Sequence, residues 1–497
     1  MSRPTRSSHI NEGRRRLRTR FSLVSWNGRR LVATAAALHV VLAVALCVAG
    51  RTKIAPTMID RDGIMVSSDS YEYQRDAIEL AELLKSGKVA DWATAGRPIH
   101  VKIIAIPFAI FGPLFGYGTL SAEPYNLLFY ATVIALVFTM GREVGSRRVG
   151  LLAGAVVAVY PSFLLHTMQL LKDPLVVAAS LAFVLGVTTW LTRTYSAKSA
   201  AIAAVLTMLI TLLLFLARAN LVIFFFAAAL LGLTLLVMRQ LLERRYLFWN
   251  MILPLPILLA MAFPLYFLLP WSQTDERMKQ FPADQIGPPK ITASTALQVQ
   301  SLIVRTTSAP KSPSTFAVRL RRRADTLAKR VGSRRLGFAA AYPDAGSLLD
   351  SDRDFKSVND LLTYIPRAME IGLWAPFPNS WISAGRRVGN AGTLLAGAET
   401  FFIYLCQVLA VWAVMREPRR LALWFLLAIA TWGVTALALV VPDVGALYRL
   451  RYAFWVMVMV MAMTVVDKLL ASVVERRRRR QQYFGPSLPT DFMMRSQ

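Results

Sequence analysis

Cysteine is nearly absent from this chain: Cys47 and Cys406 are the only two, and both lie inside apolar stretches. That excludes a disulfide framework, and with four histidines no Cys/His spacing suggests zinc. Charge is also scarce, at 17% of residues against 55% hydrophobic. So low a charge content over 497 residues excludes an ordinary soluble protein. Acids are the scarcer sign, 29 Asp+Glu against 57 Lys+Arg, for a net +28. In a soluble chain that excess would suggest nucleic acid. Here the cations cluster between apolar blocks and no nucleic-acid motif accompanies them, so nucleic acid is not an expected partner. A Gly-rich phosphate loop and a nucleotide-binding domain are missing too, as is any internal repeat.

What is present is a series of apolar blocks, several near the roughly 20 residues that cross a bilayer as a helix. The pattern predicts an all-α polytopic membrane protein with about ten transmembrane helices. They fall near 31–50, 125–141, 149–166, 174–192, 199–216, 221–238, 247–270, 396–415, 421–440 and 452–470. The first 30 residues hold nine Arg and one Glu and read as a basic cytoplasmic tail before a retained first helix. With that end inside, Arg142, Arg147 and Arg148, then Arg193 and Lys198, then Arg239, Arg244 and Arg245, then Arg416, Arg419 and Arg420 all fall on inside loops. So does the basic tail 471–497, and the short outside connections are poorer in positive charge. The expected location is the plasma (inner) membrane with both termini cytoplasmic.

Two large segments then face outward, 51–124 and a long loop 271–395. The expected modules are the tail 1–30, an N-terminal membrane module 31–270, the outside loop 271–395, the C-terminal helices 396–470 and the second tail. The stretch "IHVKIIAIPFAIFGPLFGYG" (99–118) is apolar but carries His100, Lys102, Pro107 and Pro113. Counting it as a span would reverse every later loop, so it reads as a juxtamembrane helix at or dipping into the surface. Within 271–395, "RLRRRADTLAKRVGSRR" (319–335) reads as a solvated, lipid-facing helix in preference to a specific grip on lipid phosphate.

Acids at span ends are the chemical candidates. In "SSDSYEYQRDAIELAELLKSGK" (67–88), Tyr73, Ala77, Leu80 and Leu84 recur on one helical face, and Glu72, Asp76, Glu79 and Glu82 fall largely on another. Asp69 stands before this helix with Glu72 three residues on, a capping-box pattern, and Gly87 can end it. On these residues alone Asp69 is a helix cap first and a catalytic acid second. Asp173, in "YPSFLLHTMQLLKDPL" (160–175), lies in a short outside turn between Lys172 and Pro174. It too suits an N-cap, yet an ionisable residue at the lip of a membrane bundle is a functional candidate. His166 is a polar neighbour. Arg97, Arg218, Arg449 and Arg451 stand at the same predicted level. Acids and cations gathered on one face suit a phosphate-containing lipid: cations hold the phosphate, and a carboxylate deprotonates an attacking hydroxyl.

The order of "DSYEY", "GRPIHVKIIAIPFAIFG" and "SRRVGLLAGAVVAVYPSFLLHTMQLLKDPL" relative to the spans resembles the N-terminal half of the GT-C superfamily of integral-membrane glycosyltransferases. The likeness is to the protein-mannosyltransferase and aminoarabinose-transferase branch (glycosyltransferase family 39 and the RgtA/B/C/D-like group). It covers about 60–240, and "YRLRYAFWVMVMVMAM" is similar to the last helix of many members. The resemblance implies transfer of a sugar from a polyprenyl-phosphate donor to a lipid, glycan or protein acceptor at the extracytoplasmic face. It implies Asp69 as base or metal ligand, although Ser70 stands where many members have a second acid. Asp173 would orient a partner or help bind a divalent metal, the one cofactor the resemblance allows. Arg97, Lys172, Arg218 and Arg451 would hold the donor phosphate, with Tyr73 and His166 beside the substrate. The alternatives are an outer-leaflet polysaccharide polymerase or ligase using lipid-diphosphate glycans, and, third, a lipid-linked-sugar transporter. A transporter would carry polar groups at mid-span, where His39 is the main one here.

Overall fold

The computed structural model describes residues 26–52, 59–60, 63–64, 68–268, 316–341, 346–382 and 389–484. Most of the basic tail 1–30, the first part of the loop 271–395 and residues 485–497 lie outside that set. In chain order the elements are α1 (Trp26–Arg51), a two-strand hairpin β1 (Ile59–Asp60) and β2 (Gly63–Ile64), α2 (Ser68–Lys85), α3 (Val89–Thr94) and α4 (Ile99–Phe115). Then come α5 (Glu123–Val144), α6 (Arg147–Ala158), α7 (Pro161–Thr167), α8 (Asp173–Thr192), α9 (Ala197–Arg218) and α10 (Leu221–Glu243). The remainder are α11 (Phe248–Ile252), α12 (Pro254–Leu268), α13 (Phe316–Ala341), α14 (Val358–Trp374), α15 (Gly389–Arg416), α16 (Leu421–Val440), α17 (Val444–Leu450) and α18 (Tyr452–Phe484).

The molecule is an all-α polytopic membrane protein. Among the described residues eight helices are long and apolar enough to cross a membrane, and nine if the bent pair α6–α7 is one span. Two of the ten expected spans differ. The stretch 149–166 turns by 67° between α6 and α7, where Pro161 follows an extended Tyr160 and cannot continue the preceding ladder of hydrogen bonds. The stretch 247–270 is two shorter helices, α11 and α12, parted at Leu253 just before Pro254.

The centre of the bundle is α8. Seventeen of its 20 residues are buried, so it is enclosed by protein and not by lipid. Around it pack α5, α9, α10, α16 and α18. The hairpin of α5 and α6 closes tightly because Gly141 and Gly150 face each other. A Cβ on Gly150 would stand 2.4 Å from the Phe138 carbonyl oxygen. Small residues let membrane helices approach this closely. His39, the mid-span histidine of α1, is fully buried. Its Nδ1 is 2.7 Å from Glu123 Oε1 and its Nε2 3.1 Å from Thr167 Oγ1. This pairing satisfies two ionisable groups where water cannot, and it ties α1, α5 and α7 together.

At one end of the bundle lie the juxtamembrane helices. α2 buries Ala77, Leu80 and Ala81 against Val101, Ile104, Ala105 and Phe108 of α4. It ends as the sequence predicts: Gly87 adopts φ +75°, and the Gly87 and Lys88 amides donate to the Leu84 and Leu83 carbonyls, a Schellman closure. α4 has 17 residues and falls among the shorter apolar helices. Its other face exposes Ile106, Ile110 and Leu114, one apolar stripe at a spacing of four, which suits contact with lipid.

Candidate active site

The two acids singled out from the sequence come together around one cation. Arg449, in the last turn of α17, donates through Nη2 to Asp69 Oδ2 at 3.1 Å. Its Nε stands 3.0 Å from Asp173 Oδ2. Asp173 is buried, Arg449 nearly so, and Asp69 half-buried. Three segments far apart in sequence thus meet at one guanidinium. Asp443 organises the approach. Its carboxylate accepts from the Gly445 and Ala446 amides and so caps α17, the short helix that carries Arg449.

Neither acid sits where a cap would. Asp69 lies within the first turn of α2, which begins at Ser68. Asp173 is the first residue of α8, with Lys172 as its flanking residue. Both carboxylates turn away from their own helix ends towards Arg449. They keep the favourable field of a helix N-terminus, where negative charge is stabilised.

Lys172 and Tyr73 line the same cluster. The Lys172 ammonium stands 5.9 Å from the centre of the Tyr73 ring. Burial pushes the Lys172 pKa down, the Arg218 charge adds to this, and Asp173 and Asp69 oppose it. Arg218 is therefore within electrostatic reach of the cluster. Burial raises the Tyr73 pKa, and the charges of Asp69 and Asp173 raise it further. For Arg449, burial works against the charge, but Asp173 and Asp69 outweigh it and raise the pKa. His166 Nδ1 is 2.6 Å from the Ser162 carbonyl oxygen and 2.9 Å from the Tyr452 hydroxyl. It also feels the charges of Arg449 and Asp173.

Two of the sequence candidates are engaged elsewhere. Arg97 donates to Asp76 at 3.0 Å and to Glu79 at 2.8 Å, tying the start of α4 to α2. Asp76 is correspondingly buried, although its place in the acidic row predicts exposure. Arg451, expected at the donor phosphate, is fully buried. It donates to the main-chain carbonyls of Ile371, Gly372 and Ala375, and its guanidinium lies 4.0 Å from the Trp455 ring centre. It serves the C-terminus of α14, whose last carbonyls have no partner within the helix. Arg449 occupies the place at the acids that the sequence reading gave to its neighbour.

Two further residues were not singled out. His100 is 2% exposed, both ring nitrogens lack a hydrogen-bond partner, and its ring meets Tyr73 edge-on at 4.5 Å. Burial and the nearby Lys172 charge push its pKa down to about 3, against the pull of Asp173, so the imidazole is neutral. A histidine three residues after Arg97 in an apolar stretch was the available signal. Glu399 accepts from the Ser162 amide at 2.7 Å and from the Tyr448 hydroxyl. It joins α7 to the helix carrying Arg449. Its signal was a lone acid in an apolar block.

Among the described residues no group of three or more His, Cys, Asp or Glu is placed to hold a metal ion. The region between the two carboxylates is taken by Arg449. What the cluster offers chemically is two carboxylates, three cations and a neutral imidazole at the mouth of an apolar bundle.

No family model matches the chain, and no curated protein does. Among solved structures, an archaeal oligosaccharyltransferase, AglB from Archaeoglobus fulgidus, determined with an inhibitory peptide and a dolichol-phosphate, is similar at 13% identity and a TM-score of 0.42. The match covers 93% of this chain and 53% of that one, so the chain spans about half the length of that protein. A likeness at this level says nothing about chemistry.

Proposed function

We propose that the protein is a membrane glycosyltransferase that moves a sugar from a polyprenyl-phosphate donor to an acceptor hydroxyl at the extracytoplasmic face. The observation that carries this reading is the convergence of Asp69 and Asp173 on Arg449, with Lys172 and Arg218 close by. The outward placement rests on the Lys/Arg bias of the short loops.

In this reading Asp69, the more exposed acid, orients the acceptor hydroxyl and takes its proton. The acceptor oxygen attacks the anomeric carbon, and the bond to the lipid phosphate breaks with its electron pair leaving on phosphate. Lys172, Arg218 and Arg449 neutralise that charge as it develops. Asp173 holds Arg449 in place. Tyr73 and His166 flank the sugar. With the phosphate neutralised, a strong general acid is not required. No step passes through a metal ion.

The test is Asp69→Asn in purified, folded protein supplied with a polyprenyl-phosphate sugar. The amide can still accept a bond from Arg449 but cannot take a proton. Transfer should fall by roughly 100-fold or more. Transfer at the native rate would remove Asp69 from catalysis. Supplying mono- and diphosphate donors side by side separates this reading from a lipid-diphosphate polymerase or ligase.

A further inference from the structure

The long connection between α12 and α15 contains a feature that the proposed chemistry does not use. α13 packs one face against α14 and α16. On that face Ala328, Gly332 and Arg335 are buried. Arg335 is fully buried. Its guanidinium donates to the Ala438 carbonyl at 2.8 Å, to the Leu349 carbonyl at 2.8 Å and to the Tyr364 hydroxyl at 3.1 Å. Ala438 is in the last turn of the span α16. α13 is therefore fastened at the level where that span leaves the apolar layer.

The opposite face is exposed and strongly basic. Arg322, Arg323, Lys329, Arg330 and Arg334 are exposed and turn away from the packed face. The helix has a single acid, Asp325, and this carboxylate accepts from the Val358 amide at 2.8 Å, so it is spent on capping α14. At 100° per residue, Leu320, Leu327, Val331 and Phe338 form one line along the helix, and Arg323, Arg330 and Arg334 form the next. Leu320 and Leu327 are 57% and 46% exposed. α14, packed beside α13, also exposes Leu362, Ile365 and Met369. An apolar row edged by arginines, at the level of a span end, is the arrangement of a helix lying in the headgroup region.

We propose that the outward face of α13 docks on anionic phospholipid headgroups, with Leu320 and Leu327 at the acyl boundary and Arg330, Arg334 and their neighbours on the phosphates. The proposal does not depend on the glycosyltransfer reading. Charge complementarity selects the occupant. Five exposed cations against one engaged acid favour an anionic surface, and the apolar row favours one with a hydrocarbon layer beneath it.

The experiment uses the full chain in nanodiscs of phosphatidylcholine alone or mixed with phosphatidylglycerol, followed by amide hydrogen exchange. Exchange across 316–341 should slow severalfold when phosphatidylglycerol is present, relative to the enclosed helix α8, and the effect should disappear at high salt. In Arg330→Gln/Arg334→Gln the protection should fall by about fivefold for each charge removed. Equal exchange in the two lipids overturns the proposal. So does protection in phosphatidylcholine discs by a soluble acidic polysaccharide with no response to phosphatidylglycerol, which would make this a face for an acidic polymer. The lipid and salt comparisons are made on the native chain and stand even if the double variant fails to fold.

Discussion

Arg449 and Arg451 are two residues apart and serve opposite purposes: Arg449 pairs with the carboxylates of Asp69 and Asp173, whereas Arg451 is sealed inside on the carbonyls at the end of α14. Arg449 lies in the last turn of α17 and Arg451 stands just past its end, at the break before α18, so the two side chains leave in different directions. Arg451→Gln should therefore cost stability, roughly 2 kcal/mol or more, because buried carbonyls lose a charged donor. Thermal melting of the purified protein checks this, and activity per folded molecule should change far less.

Arg449→Gln should do the reverse. Transfer should fall by roughly 100-fold or more with the loss of phosphate stabilisation. It also leaves two carboxylates without their shared cation. Adding Asp173→Asn should recover part of the lost melting temperature but none of the activity. A double-mutant cycle should give a coupling of about 0.5–3 kcal/mol; a value near zero would mean the pair at 3.0 Å carries no energy.

His100 makes stability depend on pH. Its pKa is about 3 in the folded protein, lowered first by burial and then by Lys172, against 6.5 unfolded. Above pH 6.5 it is neutral in both states and contributes no slope. Between about 6.5 and 3 only the unfolded chain takes the proton, so stability falls as pH falls, by up to roughly 1.4 kcal/mol per pH unit. The clean window is 6.5 to 4.5, before most carboxylates titrate. His100→Asn should flatten the melting temperature there, with Tyr73, Lys172 and Asp173 unchanged around it.

Glu399 joins α7 to α17 through the Ser162 amide and the Tyr448 hydroxyl. Glu399→Ala takes the carboxylate acceptor from both, leaving the buried Tyr448 hydroxyl only its 3.4 Å contact with the Tyr160 hydroxyl, at a cost of about 1–3 kcal/mol. Because Tyr448 adjoins Arg449, transfer per folded molecule should also fall. Glu399→Gln keeps one acceptor oxygen and should restore part of both, as melting and single-turnover assays would show.

Gly150→Leu should prevent the α5–α6 hairpin from closing, since even a Cβ there would stand 2.4 Å from the Phe138 carbonyl oxygen. The expected result is loss of monodisperse protein after detergent extraction, measured by size-exclusion chromatography. Gly96→Leu, where a Cβ meets nothing within 4 Å, is the control and should extract normally.

Much of the architecture is written in one dimension. A bilayer demands long unbroken apolar helices, so eight spans and the short helix α4 were readable from block length and composition. The breaks were harder. The 67° turn at Pro161 and the division of 247–270 were signalled by prolines, but a proline within a membrane helix is often tolerated, and whether the helix breaks depends on what its neighbours supply.

The site divides along the same line. Asp69 and Asp173 were visible because carboxylates at span ends are costly and few. Their convergence was not visible, because they are 104 positions apart and Arg449 lies further still along the chain. The Arg449–Arg451 pair shows the limit most clearly. The sequence by itself determined that two cations stand just before the last span. Only the tertiary structure decided which meets the acids and which serves α14, because that depends on how α17 is rolled by its Asp443 cap and its Tyr448–Glu399 bond. A helical period sets directions relative to one another; packing sets what lies in each direction.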